Sequence, residues 1–296
     1  MSTLQSPTPD TDAAVPATDD STTPGAPAAP PNTASRTSTA VKIGIPVAFA
    51  VIALALWQGA VTLTGVPRYL VPSPVDVVTA LVENAPAMVE PTLVTMQEAY
   101  LGFLLAAVSG FAAALVMARW KTAERGFYPY LVILQTIPII AVAPILVVWF
   151  GAGIATNTLV AAMLAVFPVA ANTLQGLKST DRNLVQLYRM AGAPIRVQMF
   201  SLRIPHALPE IMTGLKIAAS SAAIGAIVGE FAAGVGGGAG GLGYAVTHYA
   251  NQLRTPELFA AVVLASVVAL ILFGLVSLVE WMVLHKWHES AVPEDE

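Results

Sequence analysis

An all-α fold of six membrane-crossing helices is what this sequence predicts, on three observations. The chain is 56% hydrophobic and only 11% charged, with a mean hydropathy of +0.70, whereas soluble domains carry about 25% charged residues. Six segments hold the roughly 20 apolar residues that a helix needs to cross a bilayer. The basic residues, finally, gather in alternate connections between those segments. Lipid offers backbone groups no hydrogen bonds, so spanning segments satisfy their own as helices or closed barrels. No run of short alternating strands is present to build a barrel. The 296 residues include no cysteine, which excludes a disulfide framework and a thiolate metal site.

Residues 1–40 are built from Pro, Ala, Ser, Thr and Asp with almost no large apolar side chains. Such a stretch cannot bury enough surface to offset its ordering entropy and is expected to be a disordered tail. No basic opening region marks it as a signal peptide. The membrane domain is expected over 41–288, followed by an acidic tail, 289–296. The six spans are Ile43–Leu63, Leu93–Ala118, Tyr130–Phe150, Asn157–Leu174, Ile211–Ala233 and Leu258–Leu284. Arg36 and Lys42 precede the first. Arg119, Lys121 and Arg125 follow the second, Lys178 to Arg203 carries five basic residues after the fourth, and Lys286 follows the sixth. Alternating spans put all of these on one side, leaving Arg68 and Arg254 on the other. The excess of Lys and Arg marks the cytoplasmic side, so both termini are expected there, in a cell inner membrane. Between the first two spans, Pro72-Ser73-Pro74 precedes Val75, Val78, Leu81 and Val82. That spacing fits either a short amphipathic helix on the outer face or an ordinary loop.

The basic loop 178–209 is patterned. Thr180 or Asp181 suits a helix start, Gly192 suits the left-handed residue that ends a helix, and Pro194 suits the first turn of a second helix. That second helix is expected to run to Ile204 and stop at Pro205, with Pro209 behind it. Two readings fit this bent pair. It is a docking knob, with Leu187, Tyr188 and Met190 filling a partner's groove while Arg189 and Arg196 set the register, or a helical hairpin packed under the membrane without a partner.

Gln186-Leu187-Tyr188, then Gly192, then Leu202-Arg203-Ile204-Pro205 resembles the EAA loop of bacterial ABC importer permeases. The glycine and proline keep that family's spacing, whereas Gln186, Leu187 and Tyr188 replace its Glu-Ala-Ala triplet. Gln135-Thr136-Ile137-Pro138, Ala143-Pro144-Ile145, Trp149-Phe150-Gly151 and Gly241-Leu242-Gly243-Tyr244 are similar to signatures of the nitrate/sulfonate/taurine-type permeases. Glu98 before Gly102-Phe103, the 225–231 run Gly-Ala-Ile-Val-Gly-Glu-Phe and Thr255-Pro256 resemble the branch assigned to pyrimidine thiamine precursors or riboflavin. The resemblance implies that Gln186, Leu187, Tyr188, Arg189, Gly192, Arg196, Ile204 and Pro205 form a coupling loop seated in a separate cytoplasmic ATPase. It also implies an extracytoplasmic solute-binding protein and a second permease, here a second copy in a homodimer.

Inside the spans, Pro138 and Pro144 in the third and Pro168 in the fourth either shape a pathway or serve packing. Glu230 is the clearest polar oddity, since an intramembrane carboxylate normally faces a bundle interior. It suits a pathway or outer-gate position, or a structural hydrogen bond. Gln135 is a candidate lining group, with helix–helix hydrogen bonding as the plainer reading. Lys216 is expected to snorkel to the interface. The glycine run 234–241 lacks the Gly-Lys-Ser/Thr ending of a phosphate loop and reads as a hinge where a binding protein docks. The four histidines show no metal-ligand spacing, and no nucleophile–base pair stands out.

The expectation is therefore a transport subunit rather than an enzyme, with no cofactor, metal or nucleic acid. It moves a small organic solute or anion (a sulfonate, nitrate, taurine or pyrimidine-type vitamin precursor) inward by alternating access. The alternative is an ATPase-independent secondary transporter or channel. That would call for paired broken helices or several intramembrane ionisable groups, and apart from Glu230 the spans offer little of either.

Overall fold

The computed structural model describes residues 39–234 and 240–288, with side chains from 44 to 234 and from 240 to 285. The expected N-terminal tail up to residue 38, the centre of the glycine run (235–239) and the acidic tail 289–296 lie outside the described residues. Every regular element among the described residues is a helix. The chain divides into two units, Met1–Phe49 and Ala50–Glu296. The first contributes the start of α1 (Thr39–Thr64), where Ile45, Val47 and Phe49 are exposed.

Within the second unit, α2 (Pro74–Glu83) confirms a helix after the Ser-Pro signal. Ser73 and Asp76 cap it reciprocally: Ser73 Oγ accepts from Asp76 N (3.2 Å), and Asp76 Oδ2 accepts from Ser73 N (3.1 Å). Such a box satisfies two amide donors that the first helical turn leaves free. Val77 and Ala80 of α2 bury against Met88 and Ala260, whereas Val75, Val78 and Val82 of the expected apolar spacing remain exposed.

α3 (Ala85–Arg119), α6 (Ile154–Ser179) and α9 (Ile204–Gly234) form the centre of the unit. Their meeting faces are made of small residues: Ala99 and Ala106, then Ala161, Ala162 and Ala165, then Ala218, Ala219, Ala222, Ala223 and Ala226. In lipid, helices associate through close packing, which small side chains permit. α10 (Leu242–Asn251) and α11 (Thr255–His288) close the unit, with Leu242 and Ala245 packed on Ala261, Ala265 and Val268. Large apolar side chains face outward instead, among them Val108, Ile140, Val148 and Leu270.

Five helical stretches are long and apolar enough to cross a membrane, and a bent pair makes a sixth if counted as one span. That pair corrects the expected continuous span Tyr130–Phe150. The chain forms α4 (Lys121–Thr136) and α5 (Ile139–Phe150), bent by 98°. The cause is Pro138, which drives the preceding residue out of the helical region, and Ile137 indeed has ψ 125°. Pro144 and Pro168 stay inside α5 and α6 without ending them.

A second correction concerns the loop. α7 (Arg182–Met190) starts on Asp181, whose carboxylate accepts from Asn183 N at 2.7 Å. It ends at Gly192, φ 68°, where Gly192 N donates to Arg189 O and Ala193 N to Tyr188 O, both at 3.0 Å. This pair of bonds is the Schellman closure that glycine favours. The following helix does not stop at Pro205. α8 (Ile195–Val197) passes through a π-helical turn (Gln198–Arg203) straight into α9, a continuous 40-residue stretch from Ile195 to Gly234. Proline lacks an N–H and its ring crowds the carbonyl four residues back. Here Ile204 N reaches Met199 O, five residues back, and this wider winding accommodates Pro205.

Candidate functional site

The expected site residues fall into three places. On the bent loop, Gln186, Leu187, Arg189, Gly192 and Arg196 are exposed and Tyr188 is half-buried. Val185 alone of α7 is buried. The remaining apolar side chains of this helix, Leu184, Leu187 and Met190, face outward, Met190 at 79% exposure. Ile204 and Pro205 stand apart from this surface. Ile204 packs against Leu177, Met199, Ala207 and Ile211, anchoring the elbow to the ends of α6 and α9. Gln198 Nε2 donates to Ala193 O at 2.8 Å and fixes the second arm to the Gly192 turn. Lys178 pairs with Glu124, tying α6 to α4.

The second place is buried. Glu230 is 1% exposed and sits one turn before the end of α9. Its Oε1 accepts from Thr95 Oγ1 of α3 at 2.6 Å, and its Oε2 accepts from Gly243 N at 2.5 Å. Thr95 Oγ1 in turn accepts from Leu242 N at 2.8 Å. Leu242 and Gly243 open α10, where the first amides have no partner within their own helix. α9 and α3 therefore cap α10 through side chains, and a carboxyl group there also complements the helix dipole. The backbone approaches closely enough to require glycine: a Cβ on Gly241 would collide with Glu230 Oε1 and Thr95 Oγ1, and one on Gly243 would lie 2.7 Å from Ile227 O. That is the physical content of the Gly241-Leu242-Gly243 run.

A second carboxyl group joins this cluster. Glu98, also 1% exposed, accepts from Asn157 Nδ2 of α6 at 2.9 Å through Oε1. Its Oε2 and Asn157 Oδ1 are buried without a hydrogen-bond partner. Among the described residues neither carboxyl group has a cationic partner. Thr95, Glu98, Asn157 and Glu230 thus link α3, α6, α9 and α10 through hydrogen bonds alone.

Gln135, Pro138 and Pro144 lie elsewhere, exposed along the bent α4–α5 pair. They are not brought to the Glu230 cluster. The view that the spans hold little besides Glu230 also needs revising. Glu98 lies in the second expected span, and the sixth contains Glu280, which binds Lys216. Lys216 Nζ lies 2.9 Å and 2.7 Å from the two Glu280 oxygens. Lys216 is thus paired across α9 and α11 and does not snorkel freely. The signal for Glu98 was present, as Thr95 lies three residues before it on the same helical face. Asn157 carried none, since it stood at the margin of an expected span.

Comparison with known proteins agrees with this architecture. The family model described as "Binding-protein-dependent transport system inner membrane component" matches residues 103–287. The formylaminopyrimidine transport permease protein ThiX of Halalkalibacterium halodurans is 35% identical over 79% of this chain and 92% of its own length. The riboflavin transport system permease protein RibX of Chloroflexus aurantiacus is 32% identical over 84% of this chain and 91% of its own. The putative aliphatic sulfonates transport permease protein SsuC of Bacillus subtilis is 29% identical over 81% and 86%. With these matches and its apolar helices, the chain belongs to the family of binding-protein-dependent transport system inner membrane components, as a multi-pass ABC importer permease.

Proposed function

We propose that two copies of this chain form a solute path across the inner membrane, with both termini cytoplasmic. A cytoplasmic ABC ATPase drives the path through the Gly192 elbow, and an extracytoplasmic binding protein loads it. The membrane domain spans 41–288, with 178–209 as its coupling loop. The observation that carries this reading is mechanical continuity. Exposed Arg196 on the elbow lies on one unbroken helix with Glu230, whose carboxyl group caps α10, and exposed Leu187 and Met190 lie on α7, across the Gly192 turn from that helix. At 1.5 Å per residue, Arg196 and Glu230 are about 50 Å apart along that helix. When the ATPases close on ATP, displacement of the elbow travels along α9 and changes the position of α10, opening the path outward. Glu230 acts as the latch between the lever and the outer gate. The bend at Ile137–Pro138 gives the α4–α5 pair a place to flex beside it, with Gln135, Pro138 and Pro144 along the path.

For the solute, nitrogen heterocycles of the vitamin-precursor kind are the best-supported class. The relatives named for formylaminopyrimidine and riboflavin are 35% and 32% identical, against 29% for the sulfonate relative. Hydrolysis of ATP belongs to the separate subunit.

The test is association. Wild-type permease isolated from membranes brings with it an ATPase whose activity rises on adding the loaded binding protein. Gly192→Val, which forces a β-branched residue to φ 68°, keeps the permease in the membrane but loses the ATPase. Transport by the permease alone, in vesicles without any ATPase, would contradict the proposal.

A further inference from the structure

Three arginines on two elements line one cavity at the foot of α6, and no acidic side chain lines it with them. The cavity, of about 300 Å³, lies between the end of α6, α7 and the π-helical turn, and is lined by Lys178, Thr180, Arg182, Gln186, Arg189 and Arg203. Lys178 is balanced by Glu124. Among the described residues, Arg182, Arg189 and Arg203 enter no ion pair. The neighbouring carboxylates do not answer them: Asp181 caps the Asn183 amide, and Glu210 lies outside the lining. Arg203 Nε and Thr180 Oγ1 are buried with no hydrogen-bond partner, Thr180 at 6% exposure.

Like charges around one cavity repel, and a buried N–H without an acceptor is destabilising. One anion with several acceptor oxygens relieves both conditions, because guanidinium groups match phosphate geometry. The position selects the source. Leu177 and Lys178 lie in the last turn of the membrane helix α6, which ends at Ser179, and Arg203 directly precedes α9, so the cavity sits between the ends of two helices of membrane-spanning length. Basic pockets between such helices hold anionic headgroups. We infer that this cavity binds a phosphate group, supplied by an anionic phospholipid of the surrounding leaflet. The headgroup would brace α7 against the π turn at the base of the elbow.

Binding can be read on the purified full-length permease alone, so its outcome is independent of any ATPase. Native mass spectrometry in detergent, titrating phosphatidylglycerol, phosphatidylcholine or inorganic phosphate, measures the occupancy of each. Phosphatidylglycerol is expected to bind more tightly than phosphatidylcholine. Each basic residue near an anionic surface contributes about fivefold, so Arg189→Gln/Arg203→Gln weakens phosphatidylglycerol binding about 25-fold. Arg182→Gln, at an exposed first-turn position where folding is not at risk, weakens it about fivefold. Lys121→Gln/Arg125→Gln, which removes equal charge elsewhere, leaves it unchanged. If inorganic phosphate binds with the same arginine dependence and displaces the lipid, the phosphate site stands and the lipid source is overturned. Equal binding of both lipids, or binding indifferent to all three arginines, overturns the proposal altogether.

Discussion

Thr95 and Glu230, 135 residues apart in sequence, meet at 2.6 Å with the Thr95 hydroxyl donating to Glu230 Oε1. Together they take up the first two amides of α10, Leu242 N on Thr95 and Gly243 N on Glu230. The pair is the point where α3 and α9 hold the short helix α10.

Replacing Glu230 tests that hold. Glu230→Gln retains shape but loses one strong acceptor, and a buried amide left without its partner costs about 1–3 kcal/mol. Thr95→Val removes one donor and one acceptor at constant volume. Each change is expected to lower the unfolding temperature in detergent. Because the two residues share partners, the double variant should fall short of the sum, with a coupling of about 0.5–3 kcal/mol. Strict additivity in this cycle would mean that the two side chains act separately.

Lys216 and Glu280 join α9 to α11 at 2.7 Å, with side chains 26% and 22% exposed. Removing one charge leaves the other stranded at membrane depth. Lys216→Met is therefore expected to reduce stability more than Lys216→Met/Glu280→Leu does. Folded yield after detergent extraction orders the three proteins, and a double variant worse than the single one would refute the pairing.

The cap of α2 gives a pH-dependent prediction outside the membrane. The Ser73 hydroxyl, above all, holds the Asp76 carboxyl below the usual carboxylate range. The Ser73 N–H and Arg68 add to this, against an opposing effect of burial. A carboxyl group lowered in the folded state contributes stability above its unfolded value, near 3.9. That contribution disappears as pH falls through the lower folded value. Ser73→Ala should raise amide exchange over 74–83 at neutral pH by roughly fivefold, as expected from loss of about 1 kcal/mol of capping. The difference between variant and wild type should shrink in strong acid, as the carboxylate bonds to Ser73 are lost, and keep the part owed to the Asp76 N–H bond to Ser73 Oγ, which does not titrate. Exchange of this segment, followed by mass spectrometry across pH, checks both.

Much of this arrangement was legible in the sequence, and its failures have common causes. Long apolar runs located α3, α6, α9 and α11, because span length is set by the bilayer. Gly192 was legible because a left-handed residue has few chemical solutions. The prolines misled in both directions. Pro138 broke a run that hydropathy alone joined, while Pro205 failed to stop a helix because the π turn before it supplies the room. Glu230 was visible as an isolated charge, yet its partners Thr95 and Gly243 come from two other elements, and no local pattern announces a contact made across the bundle. Glu98 carries the same lesson, being readable as an intramembrane acid but not as a neighbour of Asn157.

Amide exchange of α10, residues 242–251, in the assembled transporter tests the coupling from elbow to gate most directly. With ATP trapped, the wild-type complex should change its α10 exchange relative to the nucleotide-free state. Glu230→Gln should show raised exchange in both states and little response to nucleotide, because the latch is gone. An α10 whose exchange ignores nucleotide in the wild type, or responds equally well in Glu230→Gln, would contradict the account.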